Sequence, residues 1–180
     1  MVPPSLQILA VSLLGLFMDS AFASNAIQLI NKDNQGSTVY QTVNINHNTN
    51  VAAFNVYSGT HSTNAVVDYN NGIIIYQMPY KRICVVSRMN KQTFPNISQL
   101  ENMIHEGQPV NPLQRSYGIS RRRVTNLVQL GGPIQAICGG MTTYWATEYQ
   151  KSSLSLGGGL CAGVNLLILN VNLCGGLSLF

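Results

Sequence analysis

Apolar and polar residues alternate along Val39-Tyr40-Gln41-Thr42-Val43-Asn44-Ile45-Asn46, the period of a strand with one buried face. Turn-forming His47-Asn48-Thr49-Asn50 follows, and residues 51–57 read as the return strand. Residues 66–88 organise the rest. β-prone runs at 65–69 and 73–77 flank Asn71-Gly72, a dipeptide that takes the positive φ angles of a two-residue type I′ turn, so a hairpin is predicted. Pro79 removes a ladder donor and predicts a bend or an edge before the strand resumes through Ile83, Val85 and Val86. About five strands therefore precede the first helix, and an antiparallel meander is expected.

The period then changes. Ile97, Leu100 and Ile104 share one helical face behind Pro95, with Asn96 or Ser98 as cap and Gly107 as terminator. Pro109 and Pro112 predict a loop that continues through Arg121-Arg122-Arg123. A second helix is expected from Pro133 through Ile134, Ile137 and Cys138, ended or kinked by Gly139-Gly140. Residues 154–180 contain no charged side chain, and the run Asn165-Leu166-Leu167-Ile168-Leu169-Asn170-Val171-Asn172-Leu173 is an aggregation hazard unless something covers it. The fold class read from this pattern is α+β: an antiparallel sheet of about five strands with two helices, followed by a Gly/Leu-rich, β-prone C-terminal segment.

Composition sharpens the picture. Of 180 residues only 9% are charged and 46% are hydrophobic, which protects poorly against self-association. Part of that hydrophobicity is the apolar run at 6–18, of signal-peptide length and too short to span a bilayer, before the A-x-A pattern Ala21-Phe22-Ala23. Export with cleavage after Ala23 is predicted, leaving a polar lead-in at 24–38, a domain at 39–150 and the tail at 151–180. Cleavage removes Asp19 and no Lys or Arg, so the formal charge moves from +4 to +5.

Cys84, Cys138, Cys161 and Cys174 are an even set in a chain bound for an oxidising compartment, so disulfides are the default. Three pairings are open; Cys84–Cys138 with Cys161–Cys174 would contribute ~4 and ~3 kcal/mol by the chain-entropy estimate. The spacing of Cys161 and Cys174 suits a hairpin in the tail. No C-x-x-C occurs and His47, His61 and His105 lie far from the cysteines in sequence, so neither a metal nor any other cofactor is expected. There is no Gly-x-Ser-x-Gly, no His-Glu-x-x-His and no phosphate-binding Gly-rich loop, which argues against an enzyme. Basic stretches without interleaved aromatics argue against nucleic acid. Arg121-Arg122-Arg123 reads as a solvated loop or, less closely matched, a convertase site.

Taken in order, the signal segment, Val66-Val67-Asp68-Tyr69 before an Asn-Gly turn, Arg82-Ile83-Cys84, Ser87-Arg88-Met89-Asn90, a proline-opened amphipathic helix, Pro-Ile-x-x-Ile-Cys and a C-terminal cysteine pair resemble the BRICHOS domain family and, within it, the gastrokines, the third gastrokine branch in particular. The resemblance covers nearly the whole chain. It implies a sheet flanked by two helices, a Cys84–Cys138 disulfide, Asp68 as the family aspartate, and a secreted protein of gastric mucosa that shields β-prone clients and restrains epithelial growth. Some gastrokines carry an extra cysteine suited to a trefoil partner; here that loop reads Ser58-Gly59-Thr60-His61-Ser62, so a mucosal partner, trefoil or mucin, would have to bind without that link.

Three site readings follow. Asp68 either orders the Asn70-Asn71-Gly72 turn or acts as a pH switch, in which case Asp68→Asn flattens the unfolding profile between about pH 4 and 7. The tail either completes the domain's own core or occupies in cis the surface that would hold a foreign strand. Asn96-Ile97-Ser98 is an N-glycosylation sequon at the mouth of the first helix. Rival functions are a receptor-directed signalling factor and a mucin-binding mucus component.

Overall fold

The computed structural model describes residues 25–32, 38–59, 61–106, 113–149, 160–166 and 169–176. The signal segment at 1–23 lies outside them. The described residues form ten strands and two α-helices: β1 (Asn25–Lys32), β2 (Thr38–Asn46), β3 (Val51–Ser58), β4 (His61–Asp68), β5 (Ile73–Met78), β6 (Ile83–Arg88), α1 (Ile97–His105), β7 (Leu113–Arg123), α2 (Gly132–Cys138), β8 (Thr142–Tyr149), β9 (Leu160–Leu166) and β10 (Leu169–Gly175). All ten strands join one sheet in the order β1-β2-β3-β4-β5-β6-β8-β7-β10-β9.

The α+β class stands, and β2 to β6 form the expected antiparallel meander, but the reading of the whole sheet as about five antiparallel strands is corrected twice. The sheet has ten strands, and two of its junctions, β6 with β8 and β7 with β10, are parallel. The polar lead-in contributes the edge strand β1, paired with β2 along Asn25↔Ile45 to Lys32↔Thr38, because a polar strand suffices where only one neighbour must be matched. The arginine triplet ends strand β7 and is not in a loop. Pro79 does more than bend the chain: with Tyr80 and Lys81 it makes a 3-10 turn that reverses direction, so Met78 pairs with Ile83 and one long strand becomes two.

The central strands are buried on both faces, which explains the unbroken apolar runs of β4 to β6. One face carries Val66, Ile73, Ile75, Cys84 and Val86, covered by Ile134 and Cys138 of α2. The opposite face forms the larger core, from Val43 and Ile45 on β2 through Tyr76 and Val85 to Val171 and Leu173 on β10, with Leu100 and Ile104 of α1 packed into it. That core can be continuous only if the sheet curls. Tyr76 on β5 and Tyr117 on β7 are three steps apart in strand order, about 14 Å in a flat sheet, yet their ring centroids are 5.5 Å apart.

The helices end where their sequences dictate. Asn96 accepts from Gln99 N–H while Gln99 Oε1 accepts from Asn96 N–H, a capping box that opens α1. Pro133 occupies the first turn of α2. Gly139 and Gly140 stop α2: a β-carbon on Gly139 would lie 2.8 Å from the Gln135 carbonyl, and Gly140 turns at φ 73°.

The Tyr76 and Tyr117 hydroxyls are buried without a well-formed hydrogen bond. Burial pushes Tyr76 well up and Tyr117 to about 12. Raised folded-state values mean that this contribution to stability is complete below pH ~10, the unfolded tyrosine range, and is lost as pH climbs through the folded values. Alkaline unfolding is therefore expected above pH ~10. In a urea titration Tyr76→Phe/Tyr117→Phe should flatten this limb and change neutral-pH stability by less than ~1 kcal/mol, since two unsatisfied buried hydroxyls are removed. An alkaline limb as steep as that of the parent chain would contradict it.

Candidate functional site

Asp68 closes β4 on the face that α2 covers and is only 2% exposed. Its carboxylate accepts from Asn71 N–H at 2.9 Å through Oδ1 and from Asn71 Nδ2 at 2.7 Å through Oδ2. This capture makes the connection a four-residue loop, 69–72, in which Gly72 alone takes positive φ, at 63°, in place of the expected two-residue type I′ turn. Tyr69 O–H donates to the Pro95 carbonyl and fastens the same loop to the start of α1. Asp68→Ala should cost about 1–3 kcal/mol through the two lost acceptors. Asp68→Asn should cost less, because its oxygen still accepts from Asn71 N–H and the Asn71 amide can turn over to accept from its nitrogen. Equal losses in thermal unfolding would contradict this geometry.

Cys84 on β6 and Cys138 in the last turn of α2 are joined by a disulfide, with 5.6 Å between their α-carbons. Both are fully buried. Gln77, opposite Cys84 on β5, donates through Nε2 to the Ile137 carbonyl at 2.7 Å and so holds the same turn of α2. Cys161 and Cys174 are also bonded and lie directly opposite each other on β9 and β10. Strand β10 continues the sheet alongside β7 in parallel, and its Val171 and Leu173 are buried in the main core.

A feature not anticipated from sequence lies beside β8. The parallel ladder between β6 and β8 runs from Ile83↔Thr142 to Ser87↔Ala146 and stops. Thr142 N–H donates to the Arg82 carbonyl and Val124 N–H donates to the Thr143 carbonyl, so even-numbered residues of β8 face β6 and odd-numbered ones face β7. The next rung would join Glu148 N–H to the Arg88 carbonyl. It is absent because the chain turns away after Arg88, with Met89 N–H donating to the Gly72 carbonyl.

Among the described residues β8 thus runs on with one edge bare, opening a cleft of about 550 Å³ lined by residues that include Met89, Asn90, Trp145, Thr147 and Tyr149. Arg115 borders it, paired with Glu148 at 2.8 Å and bonded to the Thr93 carbonyl and hydroxyl. The signal available in sequence was the β-branched and aromatic run Thr142-Thr143-Tyr144-Trp145-Ala146-Thr147-Glu148-Tyr149, dense in strand formers.

The remaining candidates are dispersed. Asn96 is exposed and uses its side-chain oxygen as the α1 cap. Arg121, Arg122 and Arg123 lie exposed at the end of β7. His47 Nε2 meets Glu101 Oε2 at 2.8 Å, tying the β2–β3 turn to α1. Among the described residues no group of three His, Cys, Asp or Glu side chains is placed to hold a metal, and no helix is long and apolar enough to cross a membrane.

Comparison with known proteins agrees with the pattern. The BRICHOS domain family matches residues 59–145. The chain is 31% identical to human gastrokine-1 over 93% of its length and 95% of that protein. It is 33% identical to pig gastrokine-1 over 92% and 94%, and 25% identical to mouse gastrokine-3 over 78% and 76%. No solved structure matches. The match to gastrokine-1 across nearly the whole length of both chains, together with the BRICHOS match, places the cysteine clasp and the Asp68 turn in a known setting: the chain belongs to the gastrokine family of BRICHOS-domain proteins.

Proposed function

We propose that this gastrokine is a secreted, non-enzymatic protein of the gastric mucosa that binds extended β-prone polypeptide and shields it, with restraint of epithelial growth as the physiological result. Export follows from the signal segment at 1–23, and disulfides fit the oxidising compartment beyond it. The observation that carries the binding reading is the bare edge of β8 beside Arg88. Unpaired Glu148 backbone groups there give an extended peptide a ladder to join, and Met89, Trp145 and Tyr149 give its side chains apolar walls. The chain's own tail supports this chemistry, since β10 is a charge-free strand received in parallel by the edge of β7.

The test is fibril formation by an amyloidogenic peptide with oxidised full-length protein at substoichiometric ratio, from gastric to neutral pH. A lengthened lag is expected, and it should be lost in Thr147→Arg, which fills the cleft from an exposed position. Trp145 is the single tryptophan, so its fluorescence reports occupancy directly. An unchanged lag with the parent protein would overturn the shielding function. An equal effect from Thr147→Arg would move the site elsewhere.

A further inference from the structure

Half of the basic residues gather at one end of the sheet. The chain has ten Lys and Arg, and five of them, Lys81, Arg82, Arg121, Arg122 and Arg123, meet where β8 begins. The pairing fixes this meeting. Thr142 N–H donates to the Arg82 carbonyl at 3.0 Å on one side of β8, Val124 N–H donates to the Thr143 carbonyl at 2.8 Å on the other, and Arg123 lies opposite Tyr144. Arg82 and Arg123 therefore flank the start of β8 from its two sides, about 14 Å apart once two strand spacings and a three-residue offset along β8 are combined.

All four arginines are exposed, and none takes part in an ion pair among the described residues. The described carboxylates lie elsewhere. Asp68 is at the opposite end of β4 and β5, Glu101 and Glu106 belong to α1 and its cap, and Glu148 is four residues further along β8, about 13 Å away. Among the described residues the charged side chains at this end of the sheet are therefore all positive. Arg82 holds φ 53°, a left-handed conformation that glycine would occupy with less strain, and its Nη2 donates to the Gly140 carbonyl at 3.4 Å, which keeps the guanidinium at the start of β8.

We propose that this end of the sheet docks a sulfated glycan chain. Guanidinium forks present paired N–H donors that match the oxygens of sulfate groups, and four of them, three at the end of β7 and one in the turn before β6 with β8 between, suit a linear polyanion better than a single small anion. Exposed Tyr80, beside Arg82, carries the Lys81 ammonium 5.6 Å from its ring centroid, which holds a further cation at this end. The disulfides place the folded chain in an oxidising, extracellular setting, where sulfated glycans and not nucleic acids are the polyanions within reach. The surface lies at the start of β8, and the bare edge at Glu148 lies about 13 Å further along the same strand.

Heparin serves as the probe, with desulfated heparin and phosphatidylserine vesicles beside it, against oxidised full-length protein. Heparin should bind with salt-dependent affinity and the desulfated chain should not. Arg82→Gly, which relieves backbone strain and so should fold at least as well, is expected to weaken heparin binding about fivefold. Arg121→Ser/Arg122→Ser/Arg123→Ser should weaken it about a hundredfold and lower the salt slope by about one per arginine. Lys91→Ser, the same charge change at the other end of the sheet, should leave it unaltered. Equal losses in Lys91→Ser and Arg82→Gly would reduce the effect to net charge and overturn the proposal. So would equal binding of desulfated heparin, or vesicles outcompeting heparin.

Discussion

Replacing Cys84 and Cys138 together by alanine is expected to cost about 4 kcal/mol of stability, the largest loss from any single crosslink in the chain. The disulfide spans 54 residues, so opening it frees a long loop in the unfolded state. It also removes two buried sulfurs from the cluster that holds α2 against Val66, Ile75 and Val86. Gln77 would still donate to the Ile137 carbonyl, but one hydrogen bond contributes only about 1 kcal/mol. Guanidinium unfolding of the oxidised parent and the double variant measures the difference at their midpoints. A loss under about 1 kcal/mol would mean that α2 is held by packing alone.

The second large effect lies in the charge-free tail. Leu173→Ala should destabilise the whole chain by about 2–5 kcal/mol, because Leu173 is fully buried among residues of β2 to β8. Leu160→Ala, in the same hairpin but 48% exposed, should change stability by less than about 0.5 kcal/mol. Denaturant midpoints of the two variants decide between a tail that completes the core and one that merely leans on it. Similar small losses in both would favour the latter.

Where the sequence pattern was regular, the fold was legible. Alternation in β2 and β3, the i, i+4 pair Leu100 and Ile104, the Asn96 cap, Pro133 and the Gly139-Gly140 stop all mark elements that exist close to those bounds. The long strands added by β7 and β8 were harder to see for physical reasons. β7 carries Gly118, three exposed arginines and a register shift between Ile119 and Arg123, so its alternation is broken. β1 was hard to see because its stripe is thin: Ile27 packs against the main core while Ile30 on the other face is exposed. The expected ordering of the turn by Asp68 is what the hydrogen bonds show, and it is also why the two-residue type I′ turn that Asn-Gly favours gives way: the Asp68 carboxylate captures Asn71 N–H first.

The run 142–149 marks a strand in the sequence, but the cleft beside it does not follow from that run. It arises from where β6 stops, and that point is set by the Met89 N–H to Gly72 carbonyl bond across a hairpin. Arg115 and Glu148, 33 positions apart, acquire meaning only once β7 and β8 are paired.

Residue-resolved hydrogen exchange of the oxidised full-length protein, with and without a β-prone peptide, reads the binding edge itself. Slowed exchange at the amide of Glu148 on peptide addition is the predicted result. Peptide that binds and suppresses fibrils while Glu148 exchanges at its free rate, with protection gained instead along β1 or β9, would contradict it.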